Sequence, residues 1–305
     1  CLITSRTCSM NQLSLYKLFN GFRIAREDAT YPPYHKGKYL EEYFVDKFEQ
    51  SAESYDRLLI PVYWTSVFNY RAKDGLGPKT ENYVLREKLF KLIESLPKDL
   101  KYFTVSTHDD APQGDFPPDT KHFYAGGNSS IGTDPIPLVC SAFENVGDPQ
   151  KLYFSSFVGS ATNPIRNHAL QCLSEKDGYI VQGFHWRPDV TTDQQKLFVD
   201  LTSRSRFTIC PRGYGATSYR MYEAMQLGSI PVYISDKHLL PWNDELAWNK
   251  LAVVANPSKD YNELDNHLKN MTETQVREMQ QEIKDKYEMY FSIPGVYNQI
   301  LRRLT

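Results

Sequence analysis

The sequence predicts an α/β protein in which two Rossmann-like domains face each other across a cleft. Strand-like and helix-like segments alternate along the 305 residues, and this alternation stops near residue 150 and restarts at residue 151. Parallel strands need a crossover connection, so such alternation predicts parallel sheets with helices on both faces. We therefore expect one domain over residues 1–150, a second over residues 151–275, and helices over residues 276–305 that pack back on the first domain.

The first domain is predicted from helix and strand patterns that follow each other. Residues 38–50 place apolar side chains at helical spacing, and the apolar run over residues 57–64 is interpreted as a buried strand. Residues 81–96 are amphipathic with helical periodicity, and residues 101–107 have the pattern of the next strand. A third strand is predicted over residues 121–126.

The second domain repeats this pattern more regularly. The predicted strands are residues 151–159, 178–184, 206–210, 230–234 and 251–256, and the predicted helices are residues 163–173, 191–205 and 216–228. Two further amphipathic helices are predicted over residues 272–291 and 296–304.

Composition and charge exclude several classes of partner. The formal net charge of -2 comes from scattered acids and bases, so no basic stripe for nucleic acid or for an anionic membrane is expected. No apolar run approaches the roughly 18 residues that span a bilayer. The five cysteines are widely spaced without a CxxC pair, which predicts reduced thiols and no zinc site. We expect a cytoplasmic protein; the triplets NSS at Asn128 and NMT at Asn270 favour the alternative, a Golgi lumen with the membrane anchor removed.

The loop after the strand at residues 206–210 has the pattern of an anion site. It contains Arg212 and Gly213 and leads into a helix that begins near Thr217, with Ser218 and Arg220 in its first turn. Ligands of open α/β sheets bind at the carboxyl ends of the strands, and a helix N-terminus favours negative charge. Two arginines at this position predict a site for phosphate, because a guanidinium binds it in a bidentate manner.

The same helix presents a carboxylate. Its apolar face is expected to pack on the sheet through Met221, Ala224, Met225 and Gly228. Glu223 lies on the other side of the helix, so we expect it away from the core and facing the cleft, where it suits the hydroxyls of a ribose. The alternative is that Ser218 is only a helix cap and Glu223 a solvated acid that pairs with Arg220.

A dense motif adds a resemblance to a known family. The stretch SRFTICPRGYGATSYRMYEAMQLGSIPVYISDKHLLPW, residues 205–242, resembles the signature region of the exostosin-like glycosyltransferases of family GT47. Weaker similarities occur in the family's order at YDRLLIPVYWTS, YFTVSTHDDAP and KLYFSSFVGSATNPIRNHALQCL, although Asp110 replaces the usual aromatic residue after the His-Asp pair.

The resemblance implies a GT-B fold in which the second domain binds a nucleotide sugar and the first domain binds a glycan acceptor. It also implies inverting transfer from a UDP-sugar of the xylose, galactose or glucuronic acid class, without an essential metal and with no other cofactor. Two alternatives stay open: a GT-B fucosyltransferase that uses GDP-fucose, and a carbohydrate-binding or scaffold member without turnover. No nucleic acid partner and no membrane segment are expected.

The resemblance and the positions of the residues together assign roles. Asp109, with His108 beside it at a strand end of the first domain, is the candidate general base for inversion. Arg166, at the start of a helix in the second domain, is expected on the diphosphate together with Arg212 and Arg220. Two further strand ends carry the remaining candidates for donor binding, His185 for the base and Asp236 for the sugar.

Overall fold

Two parallel sheets organise the chain in the computed structural model, which describes residues 10–24, 38–51, 53–71, 77, 79–129, 134–139, 142–143, 146–185, 190–258 and 260–304. The first sheet consists of β1 (Leu58–Leu59), β2 (Tyr102–Ser106), β3 (Lys121–Tyr124) and β4 (Asp134–Pro135), hydrogen-bonded in that order. All of its pairs are parallel, as the sequence predicts.

The second sheet contains a change of winding direction. Its strands are β5 (Tyr153–Ser160), β6 (Tyr179–Phe184), β7 (Ser205–Pro211), β8 (Ile230–Ile234) and β9 (Val253–Ala255), in the order β6-β5-β7-β8-β9 and all parallel. The chain places β6 on one side of β5 and then returns to place β7 on the other side. A crevice opens at such a switch point, at the carboxyl ends of β5 and β7.

Helices cover these sheets, and several of them begin after a residue whose side chain caps the first turn. The helices are α1 (Gln12–Leu18), α2 (Leu40–Glu49), α3 (Trp64–Asn69), α4 (Glu81–Glu94), α5 (Pro164–Ser174), α6 (Thr192–Ser203), α7 (Tyr219–Gln226), α8 (Tyr261–Asn270), α9 (Glu273–Tyr290) and α10 (Ile293–Arg302). Thr80, Asn163 and Thr191 each accept a hydrogen bond from a backbone N–H of the first turn of α4, α5 and α6, respectively.

The predicted strand over residues 57–64 is wrong for most of its length. Only Leu58 and Leu59 pair with β2, and Trp64 already begins α3. Pro61 has no N–H to donate to a neighbouring strand, which ends the pairing early. The apolar residues that follow are buried on a helix instead, with Trp64 fully buried.

The two C-terminal helices have different neighbours. Helix α9 starts before the predicted boundary at residue 276 and packs on α7 and β8 of the second sheet. Helix α10 instead contacts α2, where the ring of Tyr297 lies 4.9 Å from that of Phe44 and the Lys47 ammonium lies 4.4 Å from the Tyr297 ring centroid. The Lys121 ammonium of β3 also donates to the carbonyl of Arg303, so α10 links the two sheets.

One apolar core connects the sheets. Phe103 and Phe123 of the first sheet belong to the same buried cluster as Phe157 and Phe207 of the second, and α10 contributes Ile300. A separate cluster lies on the other face of the first sheet, around Trp64 and α4. Within the part of the chain that the structure describes, no helix is long and apolar enough to cross a membrane.

Candidate functional site at the carboxyl edges of the two sheets

The predicted site residues lie at or just beyond the carboxyl ends of the strands. His108 and Asp109 follow β2, His185 follows β6, Arg212 and Gly213 follow β7, Asp236 follows β8, Arg166 lies in the first turn of α5, Ser218 is the N-cap of α7, and Arg220 and Glu223 lie within α7. Because the strands are parallel, these residues share one edge of each sheet.

Arg166 spans the switch point of the second sheet. Its Nε and Nη2 donate to the carbonyl of Pro211, at 3.2 and 3.0 Å, at the end of β7. Its Nη1 donates to the carbonyl of Ser160, at 2.9 Å, at the end of β5, and to the hydroxyl of Thr162 at 3.2 Å. The guanidinium is therefore fixed between the two strands where the crevice opens.

Arg220 reaches back from α7 to the same strand end. Its Nε and Nη2 donate to the carbonyl of Val158, at 3.1 and 2.6 Å, and its guanidinium carbon lies 4.1 Å from the centroid of the Phe157 ring. A Cβ at Gly159 would lie 2.1 Å from Arg220 Nη2, and Gly159 has a φ of +146°, so only glycine is accommodated beside this arginine.

Arg212 is held inside the loop that it opens. Its Nη2 and Nε donate to the carbonyls of Tyr214 and Gly215 at 2.9 and 3.2 Å, and its Nη1 forms an ion pair with Asp236 at 2.6 Å. The hydrogen bond from Arg212 holds the pKa of the half-exposed Asp236 carboxyl below its ordinary value. In this structure Asp236 is thus first of all the partner of Arg212.

The three guanidinium groups concentrate positive charge at one buried edge. Arg166, Arg212 and Arg220 are each less than 10% exposed, at 6%, 7% and 8%. Arginine stays protonated even when it is buried, so these three charges persist at the strand ends. A buried set of cations with oriented donors is suited to bind an anion such as a diphosphate.

Glu223 differs from the prediction. It is not directed away from the core into solvent, because only 9% of it is exposed, and burial raises the pKa of its carboxyl to about 7, an effect that Arg220 partly offsets. The reason is that α7 is covered on two sides, by the second sheet on one and by α9 on another. Among the described residues, no hydrogen bond to the Glu223 carboxylate is seen.

Asp109 of the first domain lies directly against the loop between β7 and α7 of the second domain, residues 212–217, which we call the arginine loop. A Cβ at Gly215 would lie 2.0 Å from Asp109 Oδ1, so the carboxylate rests on the glycine backbone. Burial raises the pKa of Asp109 to about 7, the charge of Asp110 raises it further, and Arg212 and Arg166 lower it. A carboxylate of one sheet and two arginines of the other therefore share one electrostatic site.

A hydrogen-bond network joins the two domains around Asp109. Asn128 Nδ2 donates to Asp110 Oδ1 and to the carbonyl of Tyr214, both at 3.2 Å, and the Tyr214 hydroxyl donates to Asp110 Oδ2 at 3.3 Å. The N–H of Ala216 donates to the carbonyl of Gly126 at 2.7 Å. These bonds keep the loop after β3 closed against the loop after β7.

His108 is oriented by its own loop. The N–H of Asp110 donates to His108 Nδ1 at 3.1 Å, which assigns the ring proton of the neutral imidazole to Nε2. The ring also packs on Phe68, with the ring centroids 4.9 Å apart. His108 is half-buried beside Asp109.

The remaining predicted residues occupy the rim of this site. A Cβ at Gly213 would lie 3.0 Å from Arg166 Nη2, so this glycine lets the loop pass close to the arginine. The Ser218 side chain makes no capping bond to the backbone of α7, and Arg220 Nη1 donates to its hydroxyl at 3.5 Å. His185 is exposed at the end of the edge strand β6.

Sequence reasoning missed Glu41, which is fully buried on α2. Glu41 accepts hydrogen bonds from the N–H of Thr65 and, at 2.9 Å, from the N–H of Thr107, immediately before His108. Burial raises the pKa of Glu41 to about 7, against the lowering effect of these hydrogen bonds. The adjacent Glu41 and Glu42 in an otherwise apolar helix start are the only signal that the sequence offers for this role.

The two parallel sheets meet at a buried arginine cluster, and a C-terminal helix returns to the first sheet; this arrangement agrees with the GT-B architecture that the sequence predicts. Residues 135–271 match the family profile described as the exostosin GT47 domain. This segment, which is less than half of the chain, is therefore similar to the exostosin GT47 domain. The match includes every predicted donor-site residue, from Arg166 to Asp236, but neither His108 nor Asp109.

Similar proteins match over parts of their length. The chain is 25% identical to the Exostosin-1 homolog of Caenorhabditis elegans over 171 residues, which are 50% of this chain and 44% of that protein. It is 32% identical to the human Ribitol-5-phosphate xylosyltransferase 1 over 102 residues, which are 32% of this chain and 23% of that protein. The chain thus spans less than half of the length of these relatives. A crystal structure of TarM superimposes with a TM-score of 0.38 and 10% identity, covering 68% of this chain and 51% of TarM.

Proposed function

We propose that this protein is an inverting glycosyltransferase that transfers a sugar from a UDP-sugar to a hydroxyl of a glycan acceptor. One observation carries the proposal: Asp109 of the first domain lies against the loop of the second domain that contains Arg212. A base and a set of cations for a leaving group are both needed for direct displacement at a sugar carbon. The GT47 segment supports the same reaction class.

The arginine cluster stabilises the leaving nucleotide in this mechanism. Arg166, Arg212 and Arg220 are already oriented by backbone carbonyls, so little reorganisation is needed when negative charge develops on the diphosphate. Ser218 adds a hydroxyl at the N-terminus of α7, whose dipole favours the same charge. Protein cations supply the neutralisation, and we propose that no metal is required.

Asp109 acts on the acceptor in this mechanism. The acceptor oxygen forms a bond to the anomeric carbon as the bond from that carbon to the phosphate oxygen breaks, and the acceptor proton passes to the Asp109 carboxylate. UDP leaves with its negative charge on the diphosphate. A base with a pKa of about 7 is matched to this task near neutral pH. His108, which lies beside Asp109 in the same loop, is proposed to help hold the acceptor.

The proposed contacts to the ribose, the sugar and the uracil are assigned from where three further residues lie in the second domain. Glu223 is proposed to accept hydrogen bonds from the ribose hydroxyls, since it is buried next to Arg220. Asp236 is proposed to contact the transferred sugar and His185 the uracil, because both residues follow strands of the second sheet at its carboxyl edge.

Calorimetric titration tests the donor site. UDP is expected to bind and GDP to bind at least about tenfold more weakly, and Arg220→Lys is expected to weaken UDP binding about tenfold or more because the bidentate fork is lost. Arg204→Lys is the matched control, since Arg204 lies half-exposed on the same domain and pairs only with Asp200 among the described acids. Binding of UDP should persist in EDTA. Failure of both nucleotides to bind the wild-type protein would overturn the proposal, and preferred binding of GDP would redirect it to the fucosyltransferase class.

A further inference from the structure

Arg86 of α4 lies near the loop that carries the candidate base and is not among the residues proposed to bind the donor or to take the proton. Its guanidinium carbon lies 4.2 Å from the centroid of the Phe68 ring. The His108 ring packs on the same phenylalanine at 4.9 Å. One aromatic ring therefore joins Arg86 to the loop that carries the candidate base, on the side of the first domain.

The hydrogen-bond partners of Arg86 leave its charge without a dedicated counterion. Nη2 donates to the neutral amide oxygen of Gln113 at 3.3 Å. Among the described residues, Nε is buried with no acceptor and no carboxylate forms an ion pair with Arg86. A buried donor without an acceptor costs free energy, which an arriving anion can recover.

No acidic side chain among the described residues bonds directly to Arg86. Asp110 and Glu87 act on Arg86 through charge alone, and both oppose the lowering of its pKa by burial. Asp110 uses its oxygens to accept from Asn128 and from the Tyr214 hydroxyl. Arg23 shows the contrast, because it stacks on aromatic rings and also forms ion pairs with Asp46 and Glu49.

An exposed aromatic ring completes this corner of the cleft. Tyr214 is 60% exposed although its hydroxyl is fixed to Asp110 and its carbonyl accepts from Arg212 and Asn128. A ring that is held at one end and exposed on its face offers an apolar platform for a ligand. Arg86 and Tyr214 thus both approach Asp110, from the first and the second domain.

We infer that the acceptor carries an anionic group, a carboxylate or a phosphate, and that Arg86 binds this group while the acceptor hydroxyl lies at Asp109. The inference rests on the proposed function and adds the substrate class of the acceptor side. The donor phosphates are proposed to bind the arginines of the second domain, of which Arg212 and Arg166 act on Asp109, whereas Arg86 belongs to α4 of the first domain. A guanidinium with unused donors binds carboxylate or phosphate in a bidentate manner.

The test compares acceptor probes that differ in one group. Methyl β-D-glucoside is neutral, methyl β-D-glucuronide has a carboxylate in place of the hydroxymethyl group, and methyl β-D-glucoside 6-phosphate has a phosphate. Their affinities for the UDP-saturated protein are measured by ligand-observed NMR for the wild type, Arg86→Gln, Arg86→Lys and Arg71→Gln. Arg71 is the control because it lies exposed on the same domain, paired with Glu81.

The expected result is that an anionic probe binds the wild type about tenfold more tightly than the neutral probe. This preference should vanish in Arg86→Gln, survive in part in Arg86→Lys and stay complete in Arg71→Gln, while UDP affinity is unchanged in all four proteins. The tighter of the two anionic probes identifies the group. Equal binding of neutral and anionic probes by the wild type, or a preference that persists in Arg86→Gln, would overturn the inference. A wild-type protein that binds no UDP would instead refute the donor site, which is a separate failure.

Discussion

Burial at the residue scale ties the ionisation of Asp109 to the contact between the domains. The carboxylate leaves water to lie against Gly215, which raises its pKa to about 7. The nearby Arg212 and Arg166 limit this rise but do not cancel it. The same contact that brings Asp109 to the arginine loop therefore also sets the pH at which its carboxyl loses a proton.

The first prediction concerns the pH dependence of turnover. A general base must be deprotonated to accept the acceptor proton, so the rate of UDP release in the presence of acceptor should rise through about pH 7 and then level off. The measurement is a pH-rate profile of kcat/KM. A rate that is constant between about pH 5 and about pH 8 would contradict the role of Asp109 as base.

The second prediction concerns stability. The pKa of the Asp109 carboxyl is raised from 3.8 to about 7 in the folded state. Its contribution to the unfolding free energy is therefore fully present below about pH 3.8 and is lost as the pH rises through about 7. Asp109→Asn removes this titration. The unfolding free energy of the variant, relative to that of the wild type, should therefore be about 2 kcal/mol higher at about pH 8 than at about pH 5. Urea denaturation at the two pH values measures this difference. Asp99→Asn, at an exposed position, should show no such change.

The third prediction concerns Glu41 as a positioning residue. Glu41→Ala removes the acceptor of two buried N–H groups, those of Thr65 and Thr107, and should lower the unfolding free energy by at least about 2 kcal/mol. Turnover should also fall, because Thr107 precedes His108 and Asp109. Glu94→Ala on the exposed face of α4 is the control and should change neither quantity. A stability equal to the wild type in urea denaturation would contradict this account.

At the scale of elements, the loop after β7 can approach the first domain only because it lacks a side chain at residue 215. Gly215→Ala would bring its Cβ within 2.0 Å of Asp109 Oδ1 and 2.8 Å of the Gly126 carbonyl, so the two loops must separate. Turnover should fall about 100-fold, since a displacement of about 1 Å suffices for that. Gly183→Ala in β6, where no atom lies within 4 Å of the added Cβ, should retain wild-type turnover. Equal rates for the two variants would contradict the importance of this contact.

The elements of the second domain could be predicted because local pattern and global fold agree there. The run Ile230–Ile234 is continuously buried and the N-cap Thr191 stands where the helix pattern begins. Residues 57–64 were mispredicted because an apolar run alone does not distinguish a strand from a buried helix start. In the sequence, Pro61 was the only sign that the strand ends before the helix begins.

The site was predictable to the extent that it depends on strand ends. Arg166, Arg212 and Arg220 do lie together, because parallel strands bring their carboxyl ends to one edge. The burial of Glu223 and Glu41 could not be predicted, because helical periodicity assigns a carboxylate to the polar face and does not show which other helix covers it.

At the scale of the whole molecule, α10 connects the sheet that carries Asp109 with the sheet that carries the arginines. Its Tyr297 packs on Phe44 of α2, while Val296 and Ile300 lie in the common core. Closure of the two edges therefore depends on packing far from the site.

The corresponding prediction is that Tyr297→Ala destabilises the protein by about 3 kcal/mol or more, because a buried aromatic ring is lost from the contact with α2. Turnover should fall more than UDP affinity, since the arginine cluster lies within the second domain alone. Met289→Ala, at a 57% exposed position of α9, serves as control. A UDP affinity that falls in parallel with turnover, measured by calorimetry, would contradict the separation of roles between the domains.

Asp109 and the arginine loop are proposed to form one transfer site, and the release of UDP from a panel of UDP-sugars tests this proposal. The wild type is expected to release UDP from at least one member of the panel. Asp109→Asn should bind UDP with unchanged affinity and release it at least about 100-fold more slowly. A wild type that binds UDP but releases none from any UDP-sugar, or an Asp109→Asn variant with the wild-type rate, would contradict the account.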